Sequence, residues 1–342
     1  MSAGCKNCYA AAFAHRFDKP GGRYEGLTRM TPDGPKWVGE ARPIHGMLHR
    51  PMEWKKPCKV FVNSMSDLFH PDVPYEFIAA VFGIMAVCRQ HIFQVLTKRP
   101  DRMKEWFEWA ENDMQGRHKV PSIAHHAACI VDSYSRKHSD RINKAINRMG
   151  FGYLSKGWPL PHVWLGVSVE DDSTMDRVET LLTVPAAVHW VSFEPLLGAI
   201  LIPDEYLNGE YAPRDHGGVM AEELGPKLGW VVVGGESGHK GRPMSLNWVR
   251  TLRDQCQHAG IPFLFKQWGE WKPHVGVEEV AENVTVDMPL PTAQPYGKNT
   301  FIKANGKKYE FYGGGLHWMR RTGKKAAGRE LDGRIWDEYP CR

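Results

Sequence analysis

Six short apolar runs, each closing on a polar or glycine-containing turn, constrain this 342-residue chain more than any other feature. They are Lys59–Asn63 (KVFVN), Ile92–Thr97 (IFQVLT), Val163–Val169 (VWLGVSV), His189–Phe193 (HWVSF), Trp230–Val233 (WVVV) and Pro262–Lys266 (PFLFK). Runs that are apolar throughout suggest strands covered on both faces, as in a parallel sheet. Helical patterns alternate with them. Pro74–Gln90 puts Phe77, Ile78, Val81, Phe82, Met85 and Ala86 on one stripe, and Pro100–Ala110 points Met103, Trp106 and Phe107 inward. Asp172–Leu182 has Asp172 or Ser173 as its cap, and Ser245–His258 opens on a serine and stops at Gly260. Strand alternating with helix is the pattern of right-handed βαβ units.

The residues at the ends of these runs choose between the architectures that pattern allows. Polar residues stand after nearly every run: Asn63, Ser64 and Asp67; Lys98 and Arg99; Ser168 and Glu170; Glu194; Glu236 and Ser237; Lys266 and Gln267. In a (β/α) barrel these positions converge on one mouth at the C-terminal strand ends. In an open doubly wound sheet they spread along an edge. The expected fold is therefore α/β, a partial (β/α) TIM-type barrel with parallel strands.

The barrel is expected to occupy residues 1–271, with an insertion at about 111–160 that holds one helix near Ser133–Arg148. Residues 272–342 read as an extension, with a hairpin around Asn305–Gly306. The stretch His317–Arg329 is basic without acids and reads as a solvated helix, or as a phosphate-contacting surface aided by Tyr312 and Trp318.

Composition narrows the class. With 42% hydrophobic and 24% charged residues, wholesale disorder and fibrous repeats are excluded. No apolar run approaches the roughly 18 residues of a spanning helix, and no basic-then-apolar leader is visible, so no membrane association is expected. Seven cysteines, most of them scattered, point to a reducing, cytoplasmic compartment. The net charge of +5 permits an anionic partner, and residues 1–60 hold eleven Lys/Arg against five Asp/Glu.

Cys5 and Cys8 stand three positions apart in GCKNCYA. That spacing serves a zinc half-site, a thioredoxin-like redox pair or an iron–sulfur cluster, and two unrelated thiols are a fourth reading. No second C-x2-C pair completes a zinc site, and His125–His126 or His45 and His49 are unsupported partners. No strand precedes the pair, as a redox motif needs. Spacing alone leaves the choice open.

The remaining candidates divide between site and scaffold. Asn63, Ser64 and Asp67 suit a cofactor or a capping turn. Lys98 and Arg99 suit a carboxylate or phosphate, although Arg99 could pair with a nearby acid. Glu170 and Asp171 could be helix-start acids. Glu194, between Phe193 and Pro195, suits a ribose hydroxyl or an ammonium group. Gly234, Gly235 and Glu236 form a glycine-rich turn fit for close ligand approach, with Arg242 behind it to clamp a carboxylate. Lys266 and Gln267 end the last run, and Trp268 either meets substrate or caps the barrel.

The strings GCKNCYA, VNSMSDLFHPDVP, LTKRPDRM, WLGVSVED, VSFEPLLG, VVVGGESG with RPM, FLFKQWGEW and GKKAAGRELDGRIWDEYP run in order along most of the chain. Together they resemble a phage- and prophage-encoded three-cysteine-motif family of uncharacterised function, itself similar to a divergent branch of the radical S-adenosylmethionine superfamily. The resemblance implies a [4Fe–4S] cluster held by cysteines that include Cys5 and Cys8. The fourth iron would bind S-adenosylmethionine, whose cleavage gives a 5′-deoxyadenosyl radical. On this reading the strand-end residues divide by position into catalytic candidates, Lys98, Glu194 and Lys266, and cofactor contacts, Asn63, Ser64, Ser168, Glu170, Gly234, Gly235, Glu236 and Arg242. Substrate contacts would come from Arg99, Gln267 and Trp268, and an electron donor is needed. Nucleobase modification or repair fits the phage context and the basic charge.

This chain departs from the family pattern in lacking the cysteine that precedes the pair. A lost ligand is one explanation. A truncated gene model is the expectation, with an N-terminal strand and the third cysteine missing from this sequence. The alternatives are a non-catalytic nucleic-acid-binding or partner-recruiting barrel and a zinc-stabilised hydrolase.

Overall fold

A computed structural model describes residues 2–113, 119–149, 157–210, 225–238, 240–274, 297–302, 308–314 and 317–341. A short hairpin, β1 (Thr28–Thr31) and β2 (Gly34–Trp37), follows helix α1 (Tyr9–His15). The six apolar runs then form β3 (Lys59–Val62), β4 (Ile92–Thr97), β5 (Val163–Ser168), β6 (Val188–Phe193), β7 (Leu228–Gly234) and β8 (Phe263–Gln267). Every neighbouring pair is parallel, and the order in the sheet is the order in the chain, β3-β4-β5-β6-β7-β8. A sheet wound in one direction has no switch point, and it curls into a half-barrel as expected.

The helices are α2 (Tyr75–Val87), α3 (Pro100–Asp113), α4 (Lys119–Asp132), α5 (Arg136–Arg148), α6 (Asp176–Leu182), α7 (Asp204–Asn208) and α8 (Leu246–Ala259). Gly260 ends α8 with φ 65°, the left-handed turn that glycine takes without strain. The segment after β5 starts on Asp171 rather than on Asp172 or Ser173: its carboxylate accepts from the Ser173 amide at 3.1 Å, and a 3-10 turn precedes α6.

Period-two alternation explains why the strands are apolar on both faces. Phe93, Val95, Leu165, Val167, Val191, Phe193, Val231, Val233, Phe263 and Phe265 join the large core beneath the helices. Ile92, Trp164, Trp190, Trp230, Val232 and Leu264 fill the opposite, concave face. Full burial of each large apolar side chain contributes about 1.5–3 kcal/mol, so the two layers together fix the strand register. Gly166 is required here, because a Cβ would lie 2.4 Å from the Trp190 ring.

The C-terminal segment closes the base of the half-barrel. Leu264 and Asp337 form an antiparallel bridge, and Phe265 N donates to Trp336 O at 3.0 Å, which covers the free edge of β8. Tyr339 packs at a tilt on Trp230 with centroids 5.2 Å apart, and Lys59 Nζ of β3 stands 3.0 Å from the Tyr339 ring centre. One tyrosine thus links β3 and β7 across the sheet.

Two expectations change. The insertion holds two helices, α4 and α5, rather than one. The basic stretch is not a helix: β9 (Trp271–His274), β10 (Gly297–Ile302), β11 (Lys308–Gly314) and β12 (His317–Arg321) form a sheet, and only α9 (Lys324–Ala327) is helical. Pairing of β12 with both β11 and β9 overrides local propensity. Strands β10 and β11 pair antiparallel as a hairpin requires, and Asn305–Gly306 lies outside the described residues. No helix among the described residues is long and apolar enough to cross a membrane.

Candidate functional site

The polar residues that end the strands meet at one mouth, and the segment carrying the two cysteines is fastened across it. Ser2 Oγ donates to Glu170 Oε1 at 2.8 Å, Arg242 donates to Ala3 O at 3.0 Å, and Asn7 Nδ2 donates to Glu236 Oε2 at 3.1 Å. Gly4 permits this approach: a Cβ there would lie 2.7 Å from the Glu170 side chain. Cys5 and Cys8 are consequently half-buried at the strand ends, and Lys98 Nζ lies 3.8 Å from Cys5 Sγ.

Four carboxylates ring the mouth, and each is paired. Asp67 accepts from Thr97 Oγ1 at 2.7 Å, from the Lys98 amide at 3.2 Å and from Arg99 at 2.7 Å. It also accepts from the Phe69 amide, so it is both the turn former and the partner of Arg99. Glu170 has no exposed side-chain surface and pairs with Lys98 and with Arg177, the latter at 3.1 Å. Glu194 accepts from Lys266 at 2.8 Å and from Gln267 at 3.1 Å. Glu236 accepts from three Arg242 nitrogens at 2.7–2.8 Å. Burial pushes the Glu236 carboxyl up, but the bonds from Arg242 and Asn7 outweigh it and hold the group below its ordinary range. Tyr9 faces the same mouth, and desolvation raises its phenol despite the neighbouring Lys266.

Among the described residues, two acceptors at the mouth are left over. Asn63 Oδ1 and Gln267 Oε1, at the ends of the edge strands β3 and β8, are buried with no hydrogen-bond partner. Such orphans are rare in folded proteins and suit a donor from a ligand or a water. Ser168 Oγ lies 3.4 Å from Glu194 O and 3.5 Å from Glu170 Oε1, inside the same network. Tyr9 donates to Ser64 O at 3.4 Å, which puts Ser64 beside the first helix.

Other candidates turn out to be scaffold. Trp268 is 1% exposed, donates to Glu330 O at 2.8 Å and packs on Phe265, so it belongs to the core and not to a substrate surface. Gly235 is small because a Cβ would lie 2.1 Å from Trp268 O, and its amide is committed to Gln267 O at 2.8 Å. Gly234 makes room for Glu194, 3.0 Å from a Cβ position. The glycine-rich turn therefore serves packing within the chain. Asp171 is a helix cap, as its position after the strand suggested.

Arg177, Asn7 and Ser2 escaped the sequence reading. Arg177 stands on α6, where its guanidinium also donates to Ser168 O at 2.6 Å. A helix packed over β5 carries that arginine to Glu170, and no motif spacing announces it.

A family model described as a protein of unknown function (DUF5131) matches residues 1–340. The chain belongs to the DUF5131 family. Comparisons with curated proteins and with solved structures each returned no match. DUF5131 is an uncharacterised family, so this member's chemistry rests on its own mouth.

Proposed function

We propose that this DUF5131 protein is a radical S-adenosylmethionine-like enzyme, with Cys5 and Cys8 as ligands of a [4Fe–4S] cluster. The observation that carries the reading is the fastening of the Cys5–Cys8 segment across the C-terminal mouth of a parallel half-barrel. Two thiolates from one turn of backbone suit two irons, and iron–sulfur ligation asks for further sulfur donors. The other cysteines do not complete the set. Cys88 and Cys256 are buried, Cys58 stands just before β3 at the opposite end of the sheet, Cys129 is on α4, and Cys341 follows the tyrosine that closes the base. The proposal therefore assigns the third position to a group other than these five cysteines.

Bound and reduced, such a cluster supplies the electron that cleaves the cosubstrate's sulfonium. The chain's own residues have separable tasks. Lys98 sets a positive charge 3.8 Å from Cys5 Sγ, beside the proposed cluster ligand. Lys266 and Arg242, partly exposed while paired, are placed to exchange a carboxylate of their own chain for one of a ligand. Glu194, 21% exposed, is placed for a ribose hydroxyl or an ammonium group, and the Asn63 and Gln267 acceptors for an amine.

We assign the substrate to the nucleotide or nucleic-acid class. Tyr9, Phe13 and Phe17 recur every fourth residue and are 58%, 45% and 47% exposed. They lie in the N-terminal segment that carries the excess of basic residues, and exposed aromatics with cations suit base stacking on a phosphate-binding surface. An external electron donor is required. The test is incubation of the reconstituted chain with S-adenosylmethionine and dithionite without air. The proposal expects methionine and 5′-deoxyadenosine in equal amounts, absent with Cys5→Ser/Cys8→Ser. An intact cosubstrate with wild type overturns it.

A further inference from the structure

A second constellation lies outside the mouth. His49 and Glu53 flank a 3-10 turn (Arg50–Glu53) before β3, and His138 stands on the first turn of α5. His49 Nε2 is 3.6 Å from Glu53 Oε1, and His138 Nε2 is 3.7 Å from the same oxygen. The three ligand atoms all fall within 4.8 Å of one another. With zinc–ligand bonds of 2.0–2.2 Å, the edge of a tetrahedron is about 3.4 Å. The two edges from Glu53 Oε1 are within a few tenths of an ångström of that length, and the edge between the two imidazoles is no longer than 4.8 Å.

The surroundings orient these atoms as ligands. His49 Nδ1 lies 3.4 Å from Tyr134 OH, and His138 Nδ1 lies 2.7 Å from Ser135 Oγ. Each imidazole thus has its far nitrogen engaged by a hydroxyl, which turns both Nε2 atoms toward Glu53. Partners of this kind set ring direction and tautomer in metal sites. Glu53 Oε2 accepts from Arg50 at 3.1 Å, which leaves Oε1 to face the rings. The rings stack with centroids 4.0 Å apart, and the histidine side chains are 13% and 16% exposed. They are sheltered from water on most sides, and Glu53, at 36%, marks the open one.

We propose that His49, Glu53 and His138 bind a divalent cation of the zinc type, with a fourth position open to water or a small ligand. Two imidazoles and one carboxylate suit zinc better than magnesium or calcium, which prefer oxygen shells. The bound ion would tie the segment before β3 to α5, joining the insertion to the barrel wall. It is distinct from the cysteine pair and does not depend on the reading of the mouth.

The test uses the full chain with Cys5→Ser/Cys8→Ser, so that no zinc is held by those thiols. After chelator treatment the protein is titrated with zinc chloride against a chromophoric chelator. The expected result is one equivalent bound at micromolar or tighter Kd, a rise in melting temperature on loading, and at least tenfold weaker binding in His49→Ala/His138→Ala. Glu53→Gln, which keeps side-chain shape and serves if the histidine variant fails to fold, should weaken binding likewise. No bound zinc, or equal affinity and stoichiometry in the folded variants, overturns the site.

Discussion

Glu170→Gln is the sharpest perturbation of the mouth, because it removes one charge and little volume. The wild-type carboxylate is fully buried and accepts from Lys98, from Arg177 at 3.1 Å and from Ser2 at 2.8 Å. The amide leaves two cations facing a neutral group, with Arg177 only 14% exposed. Breaking a buried pair costs about 3–5 kcal/mol. Lys98, 29% exposed, can turn to water, which lowers the expectation to roughly 3 kcal/mol. Unfolding entropy of about 2.1 cal/mol/K per residue over the chain converts this to a melting shift of roughly 4 °C downward. Glu194→Gln is the internal control. Its partner Lys266 is 55% exposed, so the expected loss is below about 1 kcal/mol, or roughly 1 °C. Differential scanning fluorimetry reads the shifts, and hydrogen exchange reads the amides of residues 3–8, which should lose protection in Glu170→Gln alone. If Glu170→Gln melts with wild type, or shifts no further than Glu194→Gln, the charge network does not hold the mouth together.

Three other perturbations have definite outcomes. Native thiol titration of the metal-free protein at pH 8 should count five reactive cysteines, since Cys88 and Cys256 are buried and pushed up to about 12, and all seven only after unfolding. Glu236, depressed in the folded state, contributes stability that is full above the ordinary carboxylate range and lost as the pH falls through its lowered value. The melting difference between wild type and Glu236→Gln should therefore shrink between pH 7 and pH 3. Tyr339→Ala should uncover Trp230 and release Lys59, costing about 1–3 kcal/mol by chemical denaturation, and an unchanged midpoint would show that the base is not closed by this residue.

Much of the barrel is legible in the sequence because its strands are apolar on both faces and its helices carry wide stripes. Ile92–Thr97 is a strand over the whole of its apolar run. Helix α4 is hidden for a physical reason. It packs on α2 through small residues such as Ala124, and Gly83 lets Ile123 O come within 2.1 Å of where a Cβ would stand. The buried stripe of α4, Val120, Ile123, Ala124, Ala127, Ala128 and Val131, is half alanine and reads weakly beside the wide stripe of α2. The closing role of Tyr339 is hidden too, since its partners Trp230 and Lys59 lie more than a hundred residues away. At the mouth, the strand-end residues are readable from position alone, and their pairings are not. Lys98 reaches Glu170 only once the long crossover from β4 to β5 has wound, and Arg177 reaches it from a helix. The glycines after β7 read as a ligand cradle, and packing against Trp268 and Glu194 accounts for them instead.

Whether the mouth holds a cluster is decided by iron and sulfide content after anaerobic reconstitution, with a small thiol present to fill the remaining ligand position. Roughly four irons and four sulfides per chain are expected, with visible charge-transfer absorbance, and both should be lost in Cys5→Ser/Cys8→Ser. A colourless wild-type protein, or iron held equally well by the serine variant, would refute the cluster.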